Sequence, residues 1–158
     1  MESSTTTIEL KGEGFILRTM KMEDKTAFAK HANNPKIFEN LRDRFPHPYS
    51  ESDAERFLQF VLEGKDPMTT NLTIEVDGEA IGNVSIFRKE DVYRKNAEIG
   101  YWIGESFWGR GIMTKVVKLL VEYTFKTFDV MRVYATPFST SVGSMKVLEK
   151  AGFKKENT

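Results

Sequence analysis

The dipeptide Asp77-Gly78 restricts the fold of this chain more than any other pair of residues. It separates two runs of strand-forming residues, 72–76 and 80–87. A two-residue Asp-Gly connection asks for positive φ at both positions, the geometry of a tight antiparallel hairpin. A sheet built around such a hairpin is not an all-parallel doubly wound sheet. The remaining segments alternate around it. Phe15, Ile16 and Leu17 read as a first strand ending at Arg18, and residues 24–32 as a helix broken by Asn33-Asn34-Pro35. Pro35 suits the first position of a short helix running to about Leu41. Phe45-Pro46-His47-Pro48-Tyr49 is a shaped loop, because neither helix nor inner strand tolerates that proline spacing.

Downstream, Ser52 with Glu55 reads as a capping box, followed at helical spacing by Ala54, Phe57, Leu58, Val61 and Leu62 and closed by Gly64 and Pro67. A strand over 97–103 follows the charged turn 88–95 and runs into the glycine-rich stretch 104–111. From there a helix carries Ile112, Val116, Leu119, Leu120 and Tyr123 on one face. A strand over 131–136 is stopped by Pro137, and a last helix over 144–151 is stopped by Gly152. The order is strand, helices, three antiparallel strands, helix, strand, helix. That is an α+β fold, or a layered α/β one.

Composition narrows the function classes. The 158 residues suit one domain, expected over 14–158 behind a flexible leader of 1–13. Lys plus Arg and Asp plus Glu balance at 23 each, so no charge excess points to nucleic acid or an anionic membrane. With no cysteine, disulfides, zinc–thiolate sites and thiol nucleophiles are excluded, and a reducing cytosol is the expected compartment. Residues 1–7 are too polar for a signal peptide, and no apolar run reaches the ~20 residues that span a bilayer. The two histidines, His31 and His47, lie apart with no metal-ligand spacing, so no metal is expected.

The stretch Phe107-Trp108-Gly109-Arg110-Gly111-Ile112-Met113-Thr114 sits between a strand and a helix. The first amides of a helix have no internal partners and lie at the positive end of its dipole. Glycines let an anion approach the backbone, and Arg110 adds a charge, so the stretch reads as a phosphate corner. A plain tight turn, with glycines serving only backbone shape, is the competing reading. Two familiar phosphate loops fail on named residues. A P-loop beginning at Gly104 needs lysine where Arg110 stands and Ser or Thr where Gly111 stands. A dinucleotide fingerprint needs glycine where Thr114 follows Gly109-x-Gly111.

This stretch, together with Glu98-Ile99-Gly100-Tyr101-Trp102-Ile103 before it, resembles the GNAT superfamily of N-acetyltransferases, and most closely its RimJ/RimL-like group. Residues 144–153 are similar to that group's last helix, and residues 44–54 to its substrate-side loop. The resemblance extends over about 14–156. It implies a GNAT-type mixed, mostly antiparallel central sheet flanked by helices, splayed between the fourth and fifth strands counted above. It also implies acetyl-CoA as co-substrate, with its pyrophosphate on Trp108, Gly109, Arg110, Gly111, Ile112, Met113 and Thr114. The pattern places Met113 where Gly or Ala is usual, a departure that a backbone contact tolerates. The pantetheine arm is expected to pair with the backbone of 99–103, where that strand parts from 133–136, with Tyr101, Trp102 and Ile103 lining it. The family's chain normally continues past Phe153 into a further hairpin, so the C-terminal hairpin is expected to be missing, leaving an edge suited to a homodimer.

Acetyl transfer needs a neutral amine, so a base has to take its proton. Glu98 is the candidate base, because period-2 alternation puts it on one face with Gly100 and Trp102; a solvated strand-end carboxylate is the other reading. A backbone N–H near 101–103 is the candidate oxyanion donor. The family's tyrosine acid corresponds to Leu148, so Ser144 is the candidate acid or thiol contact, though it also suits the last helix's N-cap. Ser141, where the RimL-like pattern has Asn, and Lys146 are candidate cofactor contacts. Arg42, Arg44, Phe45, His47 and Tyr49 would wall the acceptor site, which takes a primary amine of a protein N-terminus or a small molecule. The alternative is a non-catalytic acyl-CoA-binding or sensory domain of the same fold.

Overall fold

Asp77 and Gly78 take φ of 51° and 83°, the left-handed pair that the hairpin demands. The computed structural model in which they lie describes residues 8–32, 50–64, 68–88, 96–107, 111–128, 130 and 132–135. The turn joins β3 (Thr69–Val76) to β4 (Glu79–Arg88) at the centre of a six-stranded sheet. The other strands are β1 (Glu9–Gly12), β2 (Phe15–Thr19), β5 (Asn96–Ile103) and β6 (Arg132–Ala135). They lie side by side in chain order, antiparallel throughout except for β5 with β6. That last pair is parallel because a helix, α3 (Ile112–Thr127), carries the chain back between them. The architecture is the mixed α+β sheet expected from the sequence.

Each face of the sheet is covered separately. Leu17, Ile74, Val84, Ile86, Ile99 and Ile103 pack with Met113, Val116, Val117 and Leu120 of α3. The other face meets α1 (Lys25–Ala32) and α2 (Glu51–Leu62), where Met20, Phe28, Ala54, Leu58 and Ala80 form a second cluster with Trp102 against it. A charged network lies on this second side. Arg18 donates to Asp24 at 2.8 Å and to Glu75 at 2.6 Å, and Asp24 also accepts from Thr73 at 2.8 Å and from the Lys21 amide at 3.0 Å. Burial opposes the charge on Asp24, but the hydrogen bonds from Arg18, Lys21 and Thr73 outweigh it and hold the carboxyl below its usual range.

Three expectations are corrected. Residues 9–12, assigned to a flexible leader, form β1: Leu10 pairs with Leu17, and the Ile8 amide donates to Thr19 Oγ1 at 2.7 Å. One apolar residue in four leaves no periodicity to read, and what shapes the hairpin is Gly12, whose place for a Cβ is filled by the Phe15 ring. The box that starts α2 is Ser50 with Asp53, not Ser52 with Glu55. The Ser50 hydroxyl accepts from the Asp53 amide at 3.2 Å, and Asp53 accepts from the Ser50 amide at 2.9 Å. The buried stripe of α3 is Met113, Val116, Val117, Leu120 and Thr124, while Ile112, Leu119 and Tyr123 are half-buried. Thr124 lies inside because its hydroxyl donates to the Leu120 carbonyl at 2.7 Å. In addition, β4 carries a bulge against β3: Ile74 pairs with Gly82 and Glu75 with Ala80, leaving Ile81 as the extra residue.

Among the described residues no helix is long and apolar enough to cross a membrane. The loop expected over 42–49, the turn over 89–95, the helix over 144–151 and the region of the C-terminal hairpin lie outside the described residues.

Candidate active site

Two features of β5 and its continuation mark the site. The first is Glu98, half-buried near the start of the strand. Its register partners are Phe87 on β4 and Tyr134 on β6, so the three side chains share a face. Gly100 and Trp102 share it too, as the alternation predicts, and this is the face of α1 and α2, where Trp102 meets Phe28 edge-on at 5.4 Å. The Phe87 ring leans diagonally over Gly100: a Cβ there would stand 3.3 Å from Phe87 Cε2. Tyr101 and Ile103 belong to the opposite face and pack with the α3 core. A cofactor contact by Tyr101 or Ile103 is therefore left to their main chain.

The second feature is the entry to α3. Gly111 is its N-cap, with φ 78° and no side-chain hydrogen bond to the first turn. A Cβ at Gly111 would meet nothing within 4 Å, so the left-handed backbone, not crowding, calls for glycine there. No acidic residue stands in that first turn. The start of α2 is the contrast, closed by Ser50 and Asp53 with Glu51 beside them. The amides of Ile112, Met113 and Thr114 thus open α3 with no capping side chain, at the positive end of its dipole. Met113 is buried in the core with Val116 and Val117, so its side chain is taken up by packing.

These two features lie at opposite ends of one strand. Glu98 and Ile103 are five residues apart, about 17 Å of extended chain. The described β5–β6 ladder covers Asn96–Ile99 of β5, and Gly100–Ile103 run beyond it toward the turn.

Of the residues expected from sequence, Glu98, Tyr101, Trp102 and Ile103 fall on β5, and Gly111, Ile112, Met113 and Thr114 open α3. Trp108, Gly109, Arg110, Ser141, Ser144, Lys146, Arg44, Phe45, His47 and Tyr49 lie outside the described residues. Sequence reasoning missed Phe87 and Tyr134 as neighbours of Glu98, since alternation gives a face but not a partner. It also missed His31, weighed only as a metal ligand. Its Nε2 is 2.6 Å from Glu79 Oε2. That hydrogen bond holds the Glu79 carboxyl below its usual range. Among the described residues no cluster of His, Asp and Glu could hold a metal.

The profile of the Acetyltransferase (GNAT) domain matches residues 15–154. The probable N-acetyltransferase YjcK of Bacillus subtilis is 31% identical over 152 residues, 93% of this chain and 84% of its own. The spermidine N(1)-acetyltransferase of Escherichia coli K12 is 26% identical over 140 residues, 89% of this chain and 73% of its own. In fold, the chain is similar to Mycobacterium smegmatis RimJ, solved with a CoA-disulfide: TM-score 0.82 at 22% identity, over 96% of this chain and 76% of that one. With the domain profile matching residues 15–154, nearly the whole sequence, the chain belongs to the GNAT family of acetyltransferases.

Proposed function

We propose that the amides opening α3 hold the diphosphate of acetyl-CoA, that the pantetheine arm follows β5 past Ile99, and that Glu98 receives the proton of the acceptor amine. As a GNAT N-acetyltransferase, the chain moves the acetyl group of acetyl-CoA to an amine. The observation that carries the assignment of roles is the uncapped helix entry at Gly111, joined by a single strand to a half-buried carboxylate. In the ternary complex an ammonium acceptor gives its proton to the Glu98 carboxylate, directly or through water. The neutral nitrogen attacks the thioester carbonyl, the C–S bond breaks, and the proton that the attacking nitrogen then sheds reaches the departing thiolate, directly or by way of the Ser144 hydroxyl, which gives one proton to sulfur and takes that one in return. The developing oxyanion is met by a main-chain N–H of 101–103.

The acceptor is a primary amine, of a protein N-terminus or a small molecule. Support for that class comes from the relatives, one of which is named for spermidine. The test is free-thiol release from acetyl-CoA against a panel of an N-terminal peptide, a polyamine, an amino acid and an aminoglycoside, with mass detection of the acetylated product. Release that depends on one amine class is expected. Tight acetyl-CoA binding with no amine-dependent release would overturn turnover in favour of a sensory role.

A further inference from the structure

We propose that His31 and Glu79 are positioning residues for the cofactor turn, clamping Gly104 where β5 passes into the segment that opens α3. The proposal rests on reading that segment as the diphosphate site. Gly104 takes no positive φ, so backbone conformation does not call for glycine there. Its surroundings do: a Cβ on Gly104 would stand 2.6 Å from His31 Nδ1, 3.0 Å from Cγ and 3.2 Å from Cβ. The His31 ring cannot simply withdraw, since its side chain is only 9% exposed and is held on two further sides. Its Nε2 lies 2.6 Å from Glu79 Oε2. A carboxylate only accepts, so the nitrogen donates. The ring also meets Phe107 edge-on, with centroids 5.8 Å apart. Phe107 ends the short 3-10 turn Glu105–Phe107, whose amide donates back to the Gly104 carbonyl at 2.9 Å.

The clamp closes on the start of β4. Glu79 is the first residue of β4, two positions before the extra residue Ile81. The Ile81 carbonyl accepts the Gly104 amide at 2.8 Å, which continues the β4–β5 register one step past the pairing of Gly82 with Ile103. Gly104 is therefore fixed through its backbone by β4 and through its Cα by the His31 ring, while the ring is tied to the first residue of the same strand. Lys30, the neighbour of His31 on α1, adds a second cation to Glu79 with Nζ 3.4 Å from Oε2. The helix on one face of the sheet thereby sets where the chain leaves β5, and with it the starting point of the segment from Gly104 to Gly111. None of these groups touches the reacting atoms; they act through the placement of the turn.

A double-mutant cycle on the full chain, read by acetyl-CoA titration and steady-state kinetics, tests this. His31→Ala is expected to weaken acetyl-CoA, in Kd and KM, about tenfold, with kcat and the acceptor KM within about twofold. Gly104→Ala, which drives a methyl into the ring, is expected to show the same split. In the His31→Ala background the methyl has room, so Gly104→Ala then costs less than about twofold. Glu79→Gln, a change at a partly exposed site, is expected to give a smaller loss of the same kind. If His31→Ala does not fold, His31→Asn takes its place in the cycle. The clamp is overturned if the wild-type chain binds acetyl-CoA and His31→Ala matches it, or if Gly104→Ala costs an equal factor in both backgrounds. A wild-type chain that binds no acetyl-CoA would instead bring down the diphosphate reading itself.

Discussion

Gly111→Glu should make the protein more stable than Gly111→Ala while making it a worse binder of acetyl-CoA. Gly111 has φ 78°, so either side chain carries a left-handed backbone penalty of about 1–2 kcal/mol. Neither clashes, because a Cβ there finds nothing within 4 Å. The carboxylate of the glutamate lies at the open end of α3, where no acidic residue stands in the first turn. Interaction with the helix dipole returns about 0.3–1 kcal/mol, so its Tm should exceed that of the alanine variant. Toward a diphosphate on the same amides the sign reverses. Two unit charges at 4 Å repel by about 1 kcal/mol in bulk water and about 4 kcal/mol near a protein surface. Gly111 is exposed, so about 2 kcal/mol is the reasonable value, and Kd rises roughly 30-fold over Gly111→Ala. Calorimetric titration with acetyl-CoA at two salt concentrations reads this, and the gap should narrow at the higher one. Equal affinities for the two variants would refute the diphosphate placement, whatever their stabilities.

Three further outcomes are expected. Glu98→Gln should lower kcat roughly a hundredfold while acetyl-CoA affinity stays within about twofold, as rapid-quench and binding measurements would show; unchanged kcat removes Glu98 as the base. The carboxyl of Asp24 is held below its unfolded pKa of about 3.9, so its contribution is fully present above that value and is lost as pH falls through the folded pKa. Asp24→Asn should therefore cost about 3 kcal/mol in urea unfolding at pH 7, with the gap to wild type closing below about pH 4; a gap constant down to pH 3 contradicts the network. Ser50→Ala should destabilise by about 1 kcal/mol and Ser52→Ala by much less, and the reverse order would restore the other capping box.

What the sequence disclosed depended on whether the controlling interaction was local. Asp77-Gly78 was legible because the turn's two positive φ angles are a property of those two residues. The start of α2 was legible only to within two residues, because 50–53 and 52–55 both spell a serine three places before an acid. The hydroxyl and carboxylate geometry, not the spacing, decides between them. β1 escaped notice because it is held by backbone pairing to β2, with Leu10 its one apolar residue. Thr124 escaped because its hydroxyl satisfies itself on the preceding turn, which hydropathy does not register. In the site, the glycine-led entry to α3 and the face of Glu98 follow from local periodicity. Phe87, Tyr134 and His31 do not: each reaches the site through strand register or helix placement set by tertiary packing.

The arrangement also explains how one strand serves a two-substrate reaction without conflict. β5 offers three directions. Ile99, Tyr101 and Ile103 turn into the α3 core and hold the strand in place. Glu98, Gly100 and Trp102 turn toward α1 and α2, the side from which the proposed reading brings the amine. On the β6 side the described pairing ends with Ile99 and Ala135, and in the proposed reading the pantetheine arm follows β5 beyond that point. Gly100 is the position where two of these directions compete. A Cβ there would press on the Phe87 ring at 3.3 Å and push it along the face that carries Glu98. Glycine at 100 therefore keeps the Phe87 ring in its place beside Glu98.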